Sequence, residues 1–311
     1  MEVTKDLIWK RNIKVNELVK QMQHLGFQSI ELKKATDIIV KMKKNDAKIL
    51  FTFTSNMVTS GLRGFFAQLI KLRMVDFVVT TVGGLEEDIM KAIGEKFIIT
   101  NYNQDDVKLH EDGMNRVGNL LISNDSYCKF EDYLVNALKE LYKKKKVYSP
   151  SEMLKEIGLT LDDENSILYQ AAKNNIPIFC PAITDGAFGF HLYLFKEKNK
   201  DFNVDIIEDF KKILIEIGFD NKKGLISLGG GISKHHAILA SLLNGGLDYA
   251  VYMSTSRSYS GSMSGATTNE AKSWGKIKDD SDAVTVNGEV SITFPLAMMA
   301  ALDKLAEDKV I

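Results

Sequence analysis

The sequence predicts an α/β protein: a Rossmann-like parallel sheet with helices on both faces, preceded by an N-terminal helical extension. Three observations carry this expectation. Short runs rich in β-branched and aromatic residues alternate with stretches of helical periodicity along most of the chain, the pattern of parallel strands joined by crossover helices. Small and polar residues recur just after those runs, where a sheet of this kind gathers its ligand. At 311 residues, 45% of them hydrophobic and 26% charged, the chain is long enough to cover such a sheet.

Taken in order, residues 15–24 and 32–44 space their apolar side chains as helices do. Residues 49–54 read as a strand and about 61–73 as the helix after it. A second strand, 76–81, leads into a helix over about 85–93. Shorter strand candidates lie at 97–100 and 119–122, followed by a helix over 127–144. Strand 176–180, helix 204–217, strand 224–228, helix 234–243 and strand 249–253 come next. Two strand-like runs, 283–286 and 290–293, and a helix over 296–305 close the chain. No internal repeat is visible, and four prolines offer few breaks. The reading is therefore a helical extension over residues 1–30 and one continuous domain over residues 31–311.

Composition narrows the function. A net charge of −1 argues against a nucleic-acid binder that relies on bulk positive charge. The basic run Lys143 to Lys146 closes a helical pattern, where it complements the helix dipole or faces solvent. Two cysteines cannot build a disulfide framework, and the five histidines form no metal-binding spacing, so no metal is expected. The first twenty residues mix charged and apolar side chains, which predicts neither a signal peptide nor a membrane span. A reducing cytoplasm is the expected setting.

The expected strand ends are chemically alike. Thr54-Ser55-Asn56 follows the first, Thr81-Val82-Gly83-Gly84 the second, and Thr184-Asp185-Gly186 a later one; Gly229-Gly230-Gly231 and Ser254-Thr255-Ser256 follow the last two. Small residues there allow a nucleotide or phosphate to approach the backbone. The segment from Gly261 to Lys276 is the most informative. Lys276 lies just beyond Trp274 and Gly275, with Glu270 six residues upstream. A lysine amine is a nucleophile only when neutral, and an apolar wall favours that state.

Each motif has a plainer reading. The triglycine fits neither a Walker loop nor a full dinucleotide fingerprint, so a tight turn competes with a cofactor loop. Ser233 fits an N-cap for the next helix. Adjacent His235 and His236 point about 100° apart on a helix, so only one can act as a general base at the crevice. Glu86 and Glu87 either stabilise a helix start or point into the crevice. Glu270 fits a capping box with Thr267, and Asp185 before glycine fits a turn.

Several blocks, in order, resemble the deoxyhypusine synthase family, particularly its shorter archaeal form. They include Thr54-Ser55-Asn56-Met57-Val58-Thr59-Ser60-Gly61, Thr81-Val82-Gly83-Gly84-Leu85-Glu86-Glu87, Pro181-Ala182-Ile183-Thr184-Asp185-Gly186, Gly229-Gly230-Gly231-Ile232-Ser233-Lys234-His235-His236 and Ser273-Trp274-Gly275-Lys276. The resemblance runs from about Leu25 to the C-terminus. It implies an NAD-dependent transfer of the aminobutyl group of spermidine to one lysine of the precursor of the hypusine-bearing translation factor. Hydride passes to NAD from the carbon beside the secondary amine, the enzyme's lysine captures the four-carbon fragment as an imine, and hydride returns after transfer.

By the same resemblance Lys276 is the nucleophile, His235 handles protons at the substrate amine, and Trp274 lines the alkyl chain. Ser55, Asn56, Thr59, Thr81, Gly83, Glu87, Asp185, Gly230, Thr255 and Ser256 match the cofactor pattern. Glu289 does too, where many members carry aspartate. Glu86, Glu87, Gly261, Ser262 and Glu270 match substrate contacts, beside His235, Trp274 and Lys276. The resemblance also implies a homotetramer. Eukaryotic members place aspartates at the positions of Phe190 and Met263; here, as in archaeal members, both are apolar, which leaves the amine donor open. The alternatives are a homospermidine-type polyamine synthase with a small amine as acceptor, and a catalytically silent relative.

Overall fold

The computed structural model describes residues 3–311. The chain forms two compact units, one of Met1–Phe53, Met74–Val79 and Ile213–Ile311, the other of Thr54–Arg73 and Thr80–Lys212.

In the first unit the strands stand in the order Ile277–Asn287, Leu247–Ser254, Lys223–Leu228, Lys48–Phe53 and Phe77–Thr80. The pairings of Lys223–Leu228 with both neighbours, and of Leu247–Ser254 with Ile277–Asn287, are parallel. Lys223–Leu228 is buried at every residue and Lys48–Phe53 at all but its first, as strands covered on both faces must be. Helix Gly231–Leu243 packs on Lys48–Phe53, Lys223–Leu228 and Leu247–Ser254, whereas Gln28–Lys44 packs on Ile277–Asn287 and Val290–Glu307. The N-terminal helical pair is Val15–Met22 and Gln28–Lys44.

The expected strand over 290–293 is helix instead. Val290–Glu307 runs unbroken through Pro295. Four of the first five residues are β-branched or aromatic, which favours a strand locally. Yet Val290, Phe294, Ala297, Met298 and Ala301 recur at helical spacing and are all buried, so packing overrides local propensity. Pro295 lies within the first two turns, and only its own missing N–H is lost to the ladder.

The second unit is mainly helical. Ser55–Met57 runs into a wide turn, Val58–Leu62, where Gly61 takes φ 103°, and the regular helix starts only at Arg63. Helix Val82–Ala92 begins earlier than its sequence pattern suggests. Residues 98–99 belong to a three-stranded antiparallel sheet with Met114–Val117 and Leu120–Ser123, turning at Gly118. Helices Pro150–Gly158, Ile167–Asn174 and Ala187–Lys198 went unread in the sequence.

Buried Asp88 ties this unit together. It accepts from Arg63 Nε at 2.5 Å, from the Ser166 hydroxyl at 2.8 Å, and from the Ile167 and Leu168 amides at 3.1 and 2.8 Å. One carboxylate thus neutralises an enclosed guanidinium and satisfies the first amides of a helix. Among the described residues no helix is long and apolar enough to cross a membrane, and no cluster of three or more His, Cys, Asp or Glu could hold a metal.

Candidate active site

Lys276 owes its position to the end of a short helix, Thr268–Ser273. Gly275 takes φ 68° and donates to Lys272 O at 2.8 Å, and the Lys276 amide donates to Ala271 O at 3.1 Å. These are the paired bonds of a Schellman motif, which needs a left-handed residue and so selects glycine. The Lys276 carbonyl accepts from Leu247 N at 3.1 Å, which fixes the lysine to the neighbouring strand. Its side chain is buried, with Nζ 4.8 Å from the centre of the Trp274 ring.

Around it lies a small cavity of about 20 Å³, lined by Lys276, Trp274, Glu270, Met263, Tyr252 and Lys234 together with Ile238, Ala266 and Ala271. That is room for about one water molecule, so a four-carbon chain enters only if a wall moves. Trp274 is 66% exposed and is thus a lid over the lysine rather than a core residue. Thr267 caps the short helix by accepting from the Glu270 amide at 3.2 Å; the capping reading holds for the threonine, while Glu270 lines the cavity.

Lys234 went unnoticed in the sequence. It is 1% exposed, its Nζ donates to Met263 O at 3.1 Å and Ala266 O at 2.8 Å, and it lies 4.1 Å from the centre of the Tyr252 ring. Burial pushes its pKa down to about 8, with Lys276 adding to the fall and Glu270 opposing it. Next to it, His235 is exposed, whereas burial and its neighbour push half-buried His236 down to about 4.

Ser233 is not the N-cap of Gly231–Leu243. Gly230 is, and the Ser233 hydroxyl donates back to Gly230 O at 3.1 Å. The glycine turn serves a close approach within the protein: a Cβ on Gly230 would lie 2.5 Å from Ser264 Cα, and the Gly231 amide donates to Ser264 Oγ at 2.9 Å. Gly261 and Ser262 are exposed in the same segment, Gly261 at φ 68°. Thr255 and Ser256 follow strand Leu247–Ser254, Ser256 donating its amide to Ser254 Oγ at 3.0 Å. Exposed Glu289 is the N-cap residue of Val290–Glu307.

In the second unit, the Ser55 amide donates to Thr81 Oγ1 at 3.1 Å, and a Cβ on Gly83 would meet Ser55 Cβ at 3.1 Å. Thr81 is the N-cap residue of Val82–Ala92, yet its side chain makes no capping bond to that helix. Glu86 and Glu87 sit beyond its first turn and are buried, so the helix-dipole reading does not account for them. Glu86 Oε1 accepts from Phe188 N at 2.8 Å, and burial raises its pKa. Glu87 Oε2 accepts from the Thr59 hydroxyl at 2.6 Å, and burial pushes its pKa up to about 7 against that bond and Lys91. Two adjacent enclosed carboxylates suit a cationic amine or a ribose hydroxyl. Asn56, Asp185 and Phe190 are exposed.

The family model described as deoxyhypusine synthase matches residues 17–301. A protein of Halobacterium salinarum described as a probable deoxyhypusine synthase is 40% identical over 291 residues, covering 92% of this chain and 88% of its own. The deoxyhypusine synthase of Kluyveromyces lactis is 37% identical over 335 residues, covering 93% and 88%. Among solved structures, one described as a deoxyhypusine synthase of Entamoeba histolytica is 28% identical with a TM-score of 0.68, covering 96% of each chain. The ternary complex of AgrE with ornithine and NAD+ shares the fold at a TM-score of 0.55 and 13% identity, over 90% of this chain and 34% of that one.

Proposed function

The chain belongs to the deoxyhypusine synthase family, and on that premise we propose that it transfers the aminobutyl group of spermidine to one lysine of the precursor of the hypusine-bearing translation factor, with NAD as cofactor. The observation that carries this reading is the buried Lys276 amine, held by a Schellman turn beside Trp274 and Glu270.

Bound NAD would supply the hydride acceptor, and later donor, that such a transfer needs. The uncapped start of Val82–Ala92, with glycines in its first turn, is the kind of helix end that accepts a phosphate. By the family pattern, Ser55, Asn56, Thr59, Thr81, Gly83, Glu87, Asp185, Gly230, Thr255, Ser256 and Glu289 would hold the cofactor.

The remaining steps fall to side chains. Glu86, Glu87 and Glu270 offer carboxylates to the cationic amines of the polyamine. Gly261 and Ser262 would contact it through the backbone and a hydroxyl. Trp274 covers the methylenes and keeps water from the reacting carbon. His235 takes the proton from the secondary amine, and the Lys276 amine attacks the carbon next to it, holding the four-carbon fragment until the acceptor lysine arrives. The proposal extends to a homotetramer, which sedimentation of the purified chain tests.

The direct test is incubation of the purified chain with NAD, spermidine and the translation-factor precursor, followed by intact mass analysis. One added aminobutyl group on the factor is expected. A factor of unchanged mass contradicts the reading, and capture of the fragment by putrescine alone favours the homospermidine-type alternative.

A further inference from the structure

The lining of the cavity beside Lys276 includes a residue that the transfer outlined above does not use. Tyr252, on strand Leu247–Ser254, lines that cavity, is 2% exposed, and has a buried hydroxyl with no hydrogen-bond partner among the described residues. Leaving such a group unsatisfied costs about 1–3 kcal/mol, and native proteins keep few of them. Phenylalanine would fill the same space at no such cost. The ring is held in place by the Lys234 ammonium over its face, itself anchored to the Met263 and Ala266 carbonyls. Burial raises the phenol's pKa, so the hydroxyl keeps its proton and can both donate and accept.

We propose that Tyr252 is a further catalytic residue, its hydroxyl relaying a proton between the Lys276 nitrogen and the amine that departs when one carbon–nitrogen bond replaces another at Lys276. This rests on the reading of Lys276 as nucleophile. The lone pair of Lys276 forms a bond to the iminium carbon of the oxidised polyamine, and the π pair moves onto the polyamine nitrogen. Lys276 nitrogen, now positive, gives one proton to Tyr252 Oη as the Tyr252 proton passes to the polyamine nitrogen. The old carbon–nitrogen bond then breaks, its pair leaving with the amine, and the Lys276 lone pair closes the new double bond. Tyr252 ends with one proton, as it began. The hydride lost in forming the iminium goes to the nicotinamide oxidant of the proposed reaction. Tyr252 and Lys276 line the same cavity, which puts the phenol at the site of that exchange.

Tyr252→Phe removes the hydroxyl and leaves the ring under Lys234. The expected result is a melting temperature unchanged or raised, spermidine KM unchanged within error, and a kcat for transfer lowered about 100-fold or more. A second readout needs neither cofactor nor factor: butanal with cyanoborohydride labels Lys276, and the variant labels correspondingly more slowly. Equal labelling rates, an unaltered kcat, a wild-type Lys276 that takes no label, or a melting temperature lowered by several degrees each overturn the inference. A wild-type chain that labels at Lys276, slows on Tyr252→Phe, yet leaves the factor unmodified refutes the proposed function and upholds the relay.

Discussion

The Thr59 hydroxyl donates a 2.6 Å hydrogen bond to Glu87, a buried carboxyl that nevertheless titrates at about 7 because burial outweighs that bond. The native state therefore binds this proton more tightly than the unfolded chain. The associated stability is present in full below pH 4.5 and is lost as pH rises to about 7. Glu87→Gln is expected to match the wild type near pH 4.5 and to exceed it at pH 8 by on the order of 3 kcal/mol at most. Urea unfolding at the two pH values measures this; a variant less stable at pH 8 contradicts it.

Catalysis should show the opposite dependence. Holding a cationic amine needs the ionised carboxylate, so wild-type kcat/KM for spermidine should rise through pH 7. In Glu87→Gln that rise should be absent. A variant that keeps the wild-type pH profile would remove Glu87 from substrate binding.

Gly275 provides the left-handed turn that presents Lys276, and the space beside it is open, with Leu242 Cδ1 3.5 Å from an added Cβ. The cost of Gly275→Ala is then backbone strain alone, about 1–2 kcal/mol. The expected variant is folded, modestly destabilised and strongly impaired in transfer, because the turn and the lysine move together. Thermal unfolding with turnover on the same preparation checks both halves.

Trp274 separates function from stability in the other direction. Being 66% exposed, it adds little to folding, and Trp274→Ala should change stability by no more than about 0.5 kcal/mol. Spermidine KM should rise and kcat fall as water reaches the lysine. A large loss of stability would show the ring to be structural.

Asp88 is the contrasting case. Asp88→Ala removes the more deeply buried of the two carboxylates paired with Arg63, leaving Asp163 at 2.7 Å, and uncaps the Ile167 and Leu168 amides. A loss of about 3–5 kcal/mol is expected, read by chemical denaturation.

Part of the candidate site is legible because its residues carry local signals. Lys276 follows a Trp-Gly pair, and the glycine after Trp274 is the residue a Schellman turn requires. Helix Pro150–Gly158 has an equally local signal, Ser149 capping with Pro150 in the first turn, and could have been read. Ser166, whose hydroxyl accepts from Tyr169 N at 3.1 Å, marks the next helix in the same way. Val290–Phe294 could not be read so easily, since its β-branched residues favour a strand until the burial of Phe294 and Met298 decides for a helix. Lys234 and Tyr252 were illegible for a different reason. Nothing in Ser233-Lys234-His235 reveals an ammonium driven inward onto carbonyls some thirty residues later, and a strand tyrosine looks like core until its hydroxyl proves to have no partner among the described residues.

The central claim is that Lys276 carries the four-carbon fragment. Borohydride added to the chain turning over labelled spermidine with NAD, followed by peptide mapping, tests it most directly. Label confined to the peptide containing Lys276, and absent from Lys276→Arg together with turnover, is the predicted result. Label on another lysine, or undiminished turnover in Lys276→Arg, would contradict the account.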